Sequence, residues 1–180
     1  MADEIDIKGY DPIAKIFHWT IVVLLTAQYG VAWTMPEIHR GTQPETLINL
    51  HLSLGGLILL LMALRLVWRL FHPVPLETAG VPRWQVIAAS VTHRLLYLLM
   101  LVMPVLGWAN ANSRGWDVTL FGLIPLPRIM AAKSPIGHTL GDVHTLIAYV
   151  TLGLLALHVS GALFHHFKLK DRTLARMLPG

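Results

Sequence analysis

Of 180 residues, 54% are hydrophobic and 13% charged, and the mean hydropathy of +0.58 belongs to a chain whose solvent is lipid. With no cysteine, disulfides, cysteine-ligated iron–sulfur clusters and covalently attached c-type haem are excluded. The net charge of +4 does not indicate nucleic acid, because the cations are scattered at the ends of apolar stretches without interleaved aromatics and read as headgroup anchors.

The length suits one domain, an all-α membrane protein built as a four-transmembrane-helix bundle. The first predicted helix covers about 12–36, with Asp11 as N-cap and Pro12 in the first turn. It is too long for a signal peptide and has no small-residue cleavage site at its end. The second, about 45–71, follows Pro44 and is apolar from Leu47 to Leu64 except for Asn49, His51 and Ser53, then ends in Arg65 and Arg69. The third, about 83–108, follows Pro82 and carries His93 and Arg94 in its first half. The segment from Asn110 to Gly137 holds Trp116, Phe121, Pro125 and Pro127 and is expected to lie on the bundle as a short amphipathic cap. The fourth helix covers about 139–167. Each segment is near the roughly 20 residues that cross a bilayer.

Loop charges set the orientation. Lys8, Lys15, Arg65, Arg69, Arg83, Arg94, Lys168, Lys170, Arg172 and Arg176 fall on one side, and Arg40, Arg114, Arg128 and Lys133 on the other, a split of ten to four. Both termini are therefore expected to be cytoplasmic.

Topology converts histidine positions into depths. His18 lies near the inner face, and His51, a few residues into a descending helix, lies near the outer one. His144 and His158 are fourteen residues apart on the fourth helix, about 21 Å of rise and within about 40° of whole turns, so both rings can face one bundle interior. An imidazole in hydrocarbon needs a hydrogen-bond partner or a metal. Two pairs result, His51 with His144 and His18 with His158. Two rings on opposite faces of one porphyrin in an apolar slot is the requirement for bis-histidine haem b, so two non-covalent b-type haems are the expected cofactors.

The other histidines keep plainer readings. His93 competes with His18 for the inner site, and His18 is preferred. His39 and His72, in a loop and at a helix end, are expected to be solvated. His165 and His166 are adjacent and cannot clamp one haem together; they can snorkel, bond a propionate or help form a quinone pocket. Arg65, Arg69 and Arg94 are candidates to pair inner propionates, because an arginine at membrane depth needs an anionic partner. Arg114, Arg128 and Lys133 can draw a small anion to the outer side or contact headgroups.

The runs FHW around His18, NLHLSLGG around His51, HRLLYLLMLVMPVLGW from His93 and LHVSGALFHHFKLKDRTLARMLP from Leu157 resemble the bacterial cytochrome b561 family. In particular they are similar to its superoxide oxidase-like di-haem members, over nearly the whole chain. The resemblance implies four helices, two b haems ligated at His18, His51, His144 and His158, and a place in the bacterial inner membrane. It further implies oxidation of superoxide on the periplasmic side and reduction of ubiquinone. The alternative is a haem-bearing anchor, a relay subunit beside a dehydrogenase or hydrogenase partner. The chain ends thirteen residues after Phe167, which favours a self-contained oxidoreductase.

Overall fold

The computed structural model describes residues 9–39, 41–72 and 81–178. It contains α1 (Pro12–Thr34), α2 (Thr46–Phe71), α3 (Arg83–Ser113) and α4 (Gly137–Phe164), which runs on into a π-helical turn, His165–Leu169. All four helices are long and apolar enough to cross a membrane. Between α3 and α4 lies a small antiparallel hairpin, β1 (Thr119–Leu120) and β2 (Ile124–Pro125), with Leu120 opposite Ile124.

The starts of the helices follow local chemistry. The Asp11 carboxylate accepts from the Ala14 N–H at 2.9 Å, which satisfies one of the free donors of the first turn, and Pro12 has no N–H to satisfy. α3 outlasts the expected stop at Trp108 and continues to Ser113. The polar residues that signal a loop there serve as ties: fully buried Asn112 donates to the Trp116 carbonyl at 3.1 Å and accepts from the Ile129 N–H at 2.9 Å. The expected amphipathic cap is likewise replaced by the hairpin, which packs on α2 instead of lying across the bundle end.

α1 packs on α2, α2 on α3 and α3 on α4. Mid-bundle, Ile21 and Leu25 of α1 meet Ile58 and Met62 of α2 and Met100 of α3. Ile48, Ala111, Trp116 and Val118 form a second cluster at the end that carries the hairpin. α4 is the odd member. Only Gly137 and Thr151 on it are buried, and among the described residues no Cα of α4 comes within 8 Å of a Cα in α1 or α2. The Tyr29 hydroxyl of α1 reaches across to donate to the Ala148 carbonyl at 2.8 Å.

The opposite end holds the first and last described residues. There the Trp19 indole donates to the Met177 carbonyl at 2.9 Å, and the Tyr10 N–H to the Arg176 carbonyl at 3.2 Å, so the C-terminal segment folds back on the start of α1. The π-helical turn ends at Lys170, φ 55°, and His165 bonds Asp171. Burial pushes the Asp171 carboxyl up, but the hydrogen bonds from His165 and the Thr173 N–H prevail and hold it below the ordinary carboxylate range.

Candidate functional site

Histidines from three helices converge in two pairs across the gap beside α4. His51 of α2 and His144 of α4 have ring centroids 6.0 Å apart with planes at 79°. His18 of α1 and His158 of α4 are 6.2 Å apart at 74°. An imidazole nitrogen sits about 2.0–2.1 Å from a bound transition metal, so two rings on opposite sides of one metal have centroids roughly 6.4 Å apart. Both pairs fit that spacing. His93 of α3, also beside His158, stands at 5.0 Å, too close for the same arrangement.

At the hairpin end, the neighbours of His144 fix its ring. Its Nδ1 lies 2.9 Å from the Met103 carbonyl, and because a carbonyl only accepts, Nδ1 carries the proton and Nε2 keeps its lone pair. Gly107 makes room: a Cβ there would lie 2.9 Å from the ring's Cε1. The rings open into a cleft that also touches Gln28, Gly55, Trp108 and Val118. Gln28, 7% exposed, donates its amide to the His51 carbonyl at 3.1 Å. Its own oxygen and His51 Nδ1 are buried without partners among the described residues. Sequence reading missed Gln28, although an amide in the middle of an apolar span is itself a signal.

At the other end, Arg65 joins the pair to α3. Its Nη1 donates to His18 Nδ1 at 3.1 Å and its Nε to the Tyr97 hydroxyl at 3.0 Å. The Arg65 and Arg69 guanidinium carbons lie 5.8 and 5.5 Å from the Tyr97 ring centre. Arg94 is exposed. A second cleft borders Arg65, Arg69, Tyr97 and Trp68. Trp68 donates to the Asp11 carboxylate at 3.2 Å. His72, expected in solvent, instead stacks on Trp68 at 3.6 Å and bonds its carbonyl. His39 is exposed, beside Glu37. His165 is engaged by Asp171, and His166 lies against Phe167.

Between the pairs, Thr151 is fully buried, with its hydroxyl unpartnered among the described residues. His144, Thr151 and His158 are seven residues apart and form one polar stripe on α4. Among the described residues no three His, Cys, Asp or Glu side chains gather to hold a bare metal ion. Pairs in a slot suit a metal that brings its own equatorial ligands, and the stand-off of α4 leaves room for it.

Residues 9–180 match the family described as prokaryotic cytochrome b561. The chain belongs to that family. It is similar to probable superoxide oxidase CybB of Yersinia pestis, 34% identical over 176 residues that span 96% of this chain and 97% of that protein. It is also similar to cytochrome b561 homolog 2 of Escherichia coli K12, 27% identical over 172 residues covering 95% and 92% of the two chains. Cytochrome b562 of Cereibacter sphaeroides is 30% identical over 176 residues, covering 94% and 95%. As a cytochrome b561, the chain is a bacterial membrane protein of electron transfer, and its family implies binding of haem b.

The charges at the hairpin end of this cytochrome are fewer than a residue count suggests. Arg128 is engaged by Asp117 at 2.8 Å, a pairing that holds the Asp117 carboxyl below its usual range and offsets the local positive field. Arg114 lies over Trp116 at 5.7 Å, and Lys133 is exposed in the loop before α4. Arg40 and Lys8, both used in the orientation count, lie outside the described residues.

Proposed function

We propose that this cytochrome is a di-haem oxidoreductase that takes electrons from superoxide on the periplasmic side of the inner membrane and delivers them to ubiquinone. The observation that carries the reading is the pair of matched imidazole couples at two depths on one stripe of α4. The name of the Yersinia pestis relative supports superoxide as donor. The ten-to-four division of Lys and Arg supports cytoplasmic termini and a periplasmic hairpin end. Each superoxide gives up one electron and leaves as dioxygen; two electrons with two protons convert ubiquinone to ubiquinol.

When bound, haem b supplies a one-electron iron couple. His51 and His144 would hold one haem and His18 and His158 the other. Met103 keeps His144 in the ligating tautomer. In neutral His18, an Nδ1 that accepts from Arg65 leaves the proton on Nε2. Ligation through Nε2 needs that proton on Nδ1, so the Arg65 guanidinium must turn to an anion, and a haem propionate is such an anion. Arg69, one turn away on the same face, shares that charge. Arg94 takes no part.

Arg114 and Lys133 attract the anionic donor. The rate at which superoxide reduces the purified protein is expected to fall as salt rises, because attraction is screened beyond about 8–10 Å at physiological ionic strength. Neutralising both, as Arg114→Gln with Lys133→Gln, should slow reduction and leave reoxidation by a ubiquinone analogue unchanged. Stopped-flow spectroscopy checks both steps. Reduction no faster than spontaneous dismutation would remove the superoxide reading, and a copurifying dehydrogenase subunit that reduces the haems would replace it with the relay reading.

A further inference from the structure

We propose that the β1–β2 hairpin is a re-entrant element whose apolar tip, Phe121, Leu123 and Ile124, sits among the lipid acyl chains and closes the hairpin-end slot from that side. The inference requires only that the four helices span, and is independent of donor and acceptor.

Depth is the first argument. Val118 packs beside Ile48 near the start of α2. Farther along, the Thr119 carbonyl accepts from the Ser53 hydroxyl at 3.1 Å and the Phe121 N–H donates to it at 2.9 Å. Leu120 fills the notch at Gly56, where a Cβ would lie 2.6 Å from its Cδ2. The segment thus descends along α2 from Ile48 to Ser53 to Gly56. Ser53 and Gly56 are about 10 and 15 Å below Thr46 at about 1.5 Å per residue. A helix of 26 residues is about 39 Å long and exceeds a roughly 30 Å hydrocarbon layer by about 5 Å at each end. Both attachment points therefore lie inside the apolar layer, and the tip beyond them does too.

Chemistry gives the second argument. The ten residues from Val118 to Pro127 carry no charge, and the charges that flank them, Asp117 and Arg128, are paired with each other at 2.8 Å. Leu123 is 83% exposed, Ile124 58% and Phe121 51%, an arrangement that water disfavours and acyl chains accept. Hydrocarbon requires backbone polar groups to be satisfied internally. The Leu123 N–H donates to the Leu120 carbonyl at 3.0 Å, the Leu126 N–H to the Val118 carbonyl at 2.9 Å, and Pro125 has no donor. On α2, exposed Leu60, Leu64 and Val67 continue the same apolar surface toward the far end. On its inner side, the hairpin presents Val118 and Leu126 to the slot.

The absence of native cysteine allows a direct test in haem-loaded protein reconstituted into liposomes. Leu123→Cys is expected to react with a membrane-impermeant maleimide at least about tenfold more slowly than Ala132→Cys in the exposed loop, because the thiolate that reacts is disfavoured in apolar surroundings. A bimane on Leu123→Cys is expected to be quenched by nitroxide on a lipid acyl chain and not by aqueous iodide. Ile124→Cys serves as the second reporter. Rapid maleimide labelling would put the tip in water, and slow labelling without lipid quenching would mean that protein, such as a second copy, covers it. Either result overturns the proposal.

Discussion

Alanine in place of His144 is expected to remove the hairpin-end haem alone, halving the haem-to-protein ratio, and His51→Ala should do the same. The two rings come from α2 and α4, whose backbones do not touch, so neither can be replaced by a neighbour on the partner helix. Of the other cleft residues, Gln28 and Trp108 offer an amide and an indole N–H, neither of which substitutes for an imidazole lone pair, and the Met103 thioether would give a histidine–methionine spectrum that is distinguishable from the bis-histidine one. The haem held by His18 and His158 should keep its low-spin bis-histidine spectrum, because it lies about 21 Å away along α4. Pyridine haemochrome against quantified protein gives the ratio. Loss of both haems in a folded variant would mean that the sites are not separate.

The second large effect separates His18 from His93. His18→Ala is expected to abolish the terminus-end haem, whereas His93→Ala keeps both haems with unchanged bis-histidine spectra. The reason is geometric. His18 stands 6.2 Å from His158, close to the spacing of the other pair, while His93 at 5.0 Å is nearer than two rings on opposite sides of one metal permit. Electron paramagnetic resonance of the two variants, with haem content, checks the assignment. Two intact haems in His18→Ala and one in His93→Ala would transfer the ligand role to α3.

The four spans were legible because roughly twenty apolar residues in a row have no other economical solution, and because Asp11-Pro12 marks a helix start by capping chemistry. Pairing His51 with His144 and His18 with His158 followed from depth: alternating helix direction places each histidine at a level, and levels match in twos. That Arg65 and Arg69 share one face of α2 could also have been drawn from their i, i+4 spacing, whereas their contact with Tyr97 of α3 could not. Arg94 was indistinguishable from them by depth alone, since exposure depends on the face of α3 turned inward. The hairpin was not legible. Its Gly122, Pro125 and Pro127 are ordinary loop residues, and only the contacts at Ser53 and Gly56 show that the segment returns along α2. The extension of α3 to Ser113 was hidden because Asn112 reads as a helix stop unless its distant partners, Trp116 and Ile129, are known.

The central claim, that one stripe of α4 supplies a ligand to each of two haems, is tested most directly by the haem b content of the purified wild-type protein. Two haems per chain are predicted, both with bis-histidine spectra; one haem per chain in a protein that retains its helices would contradict it.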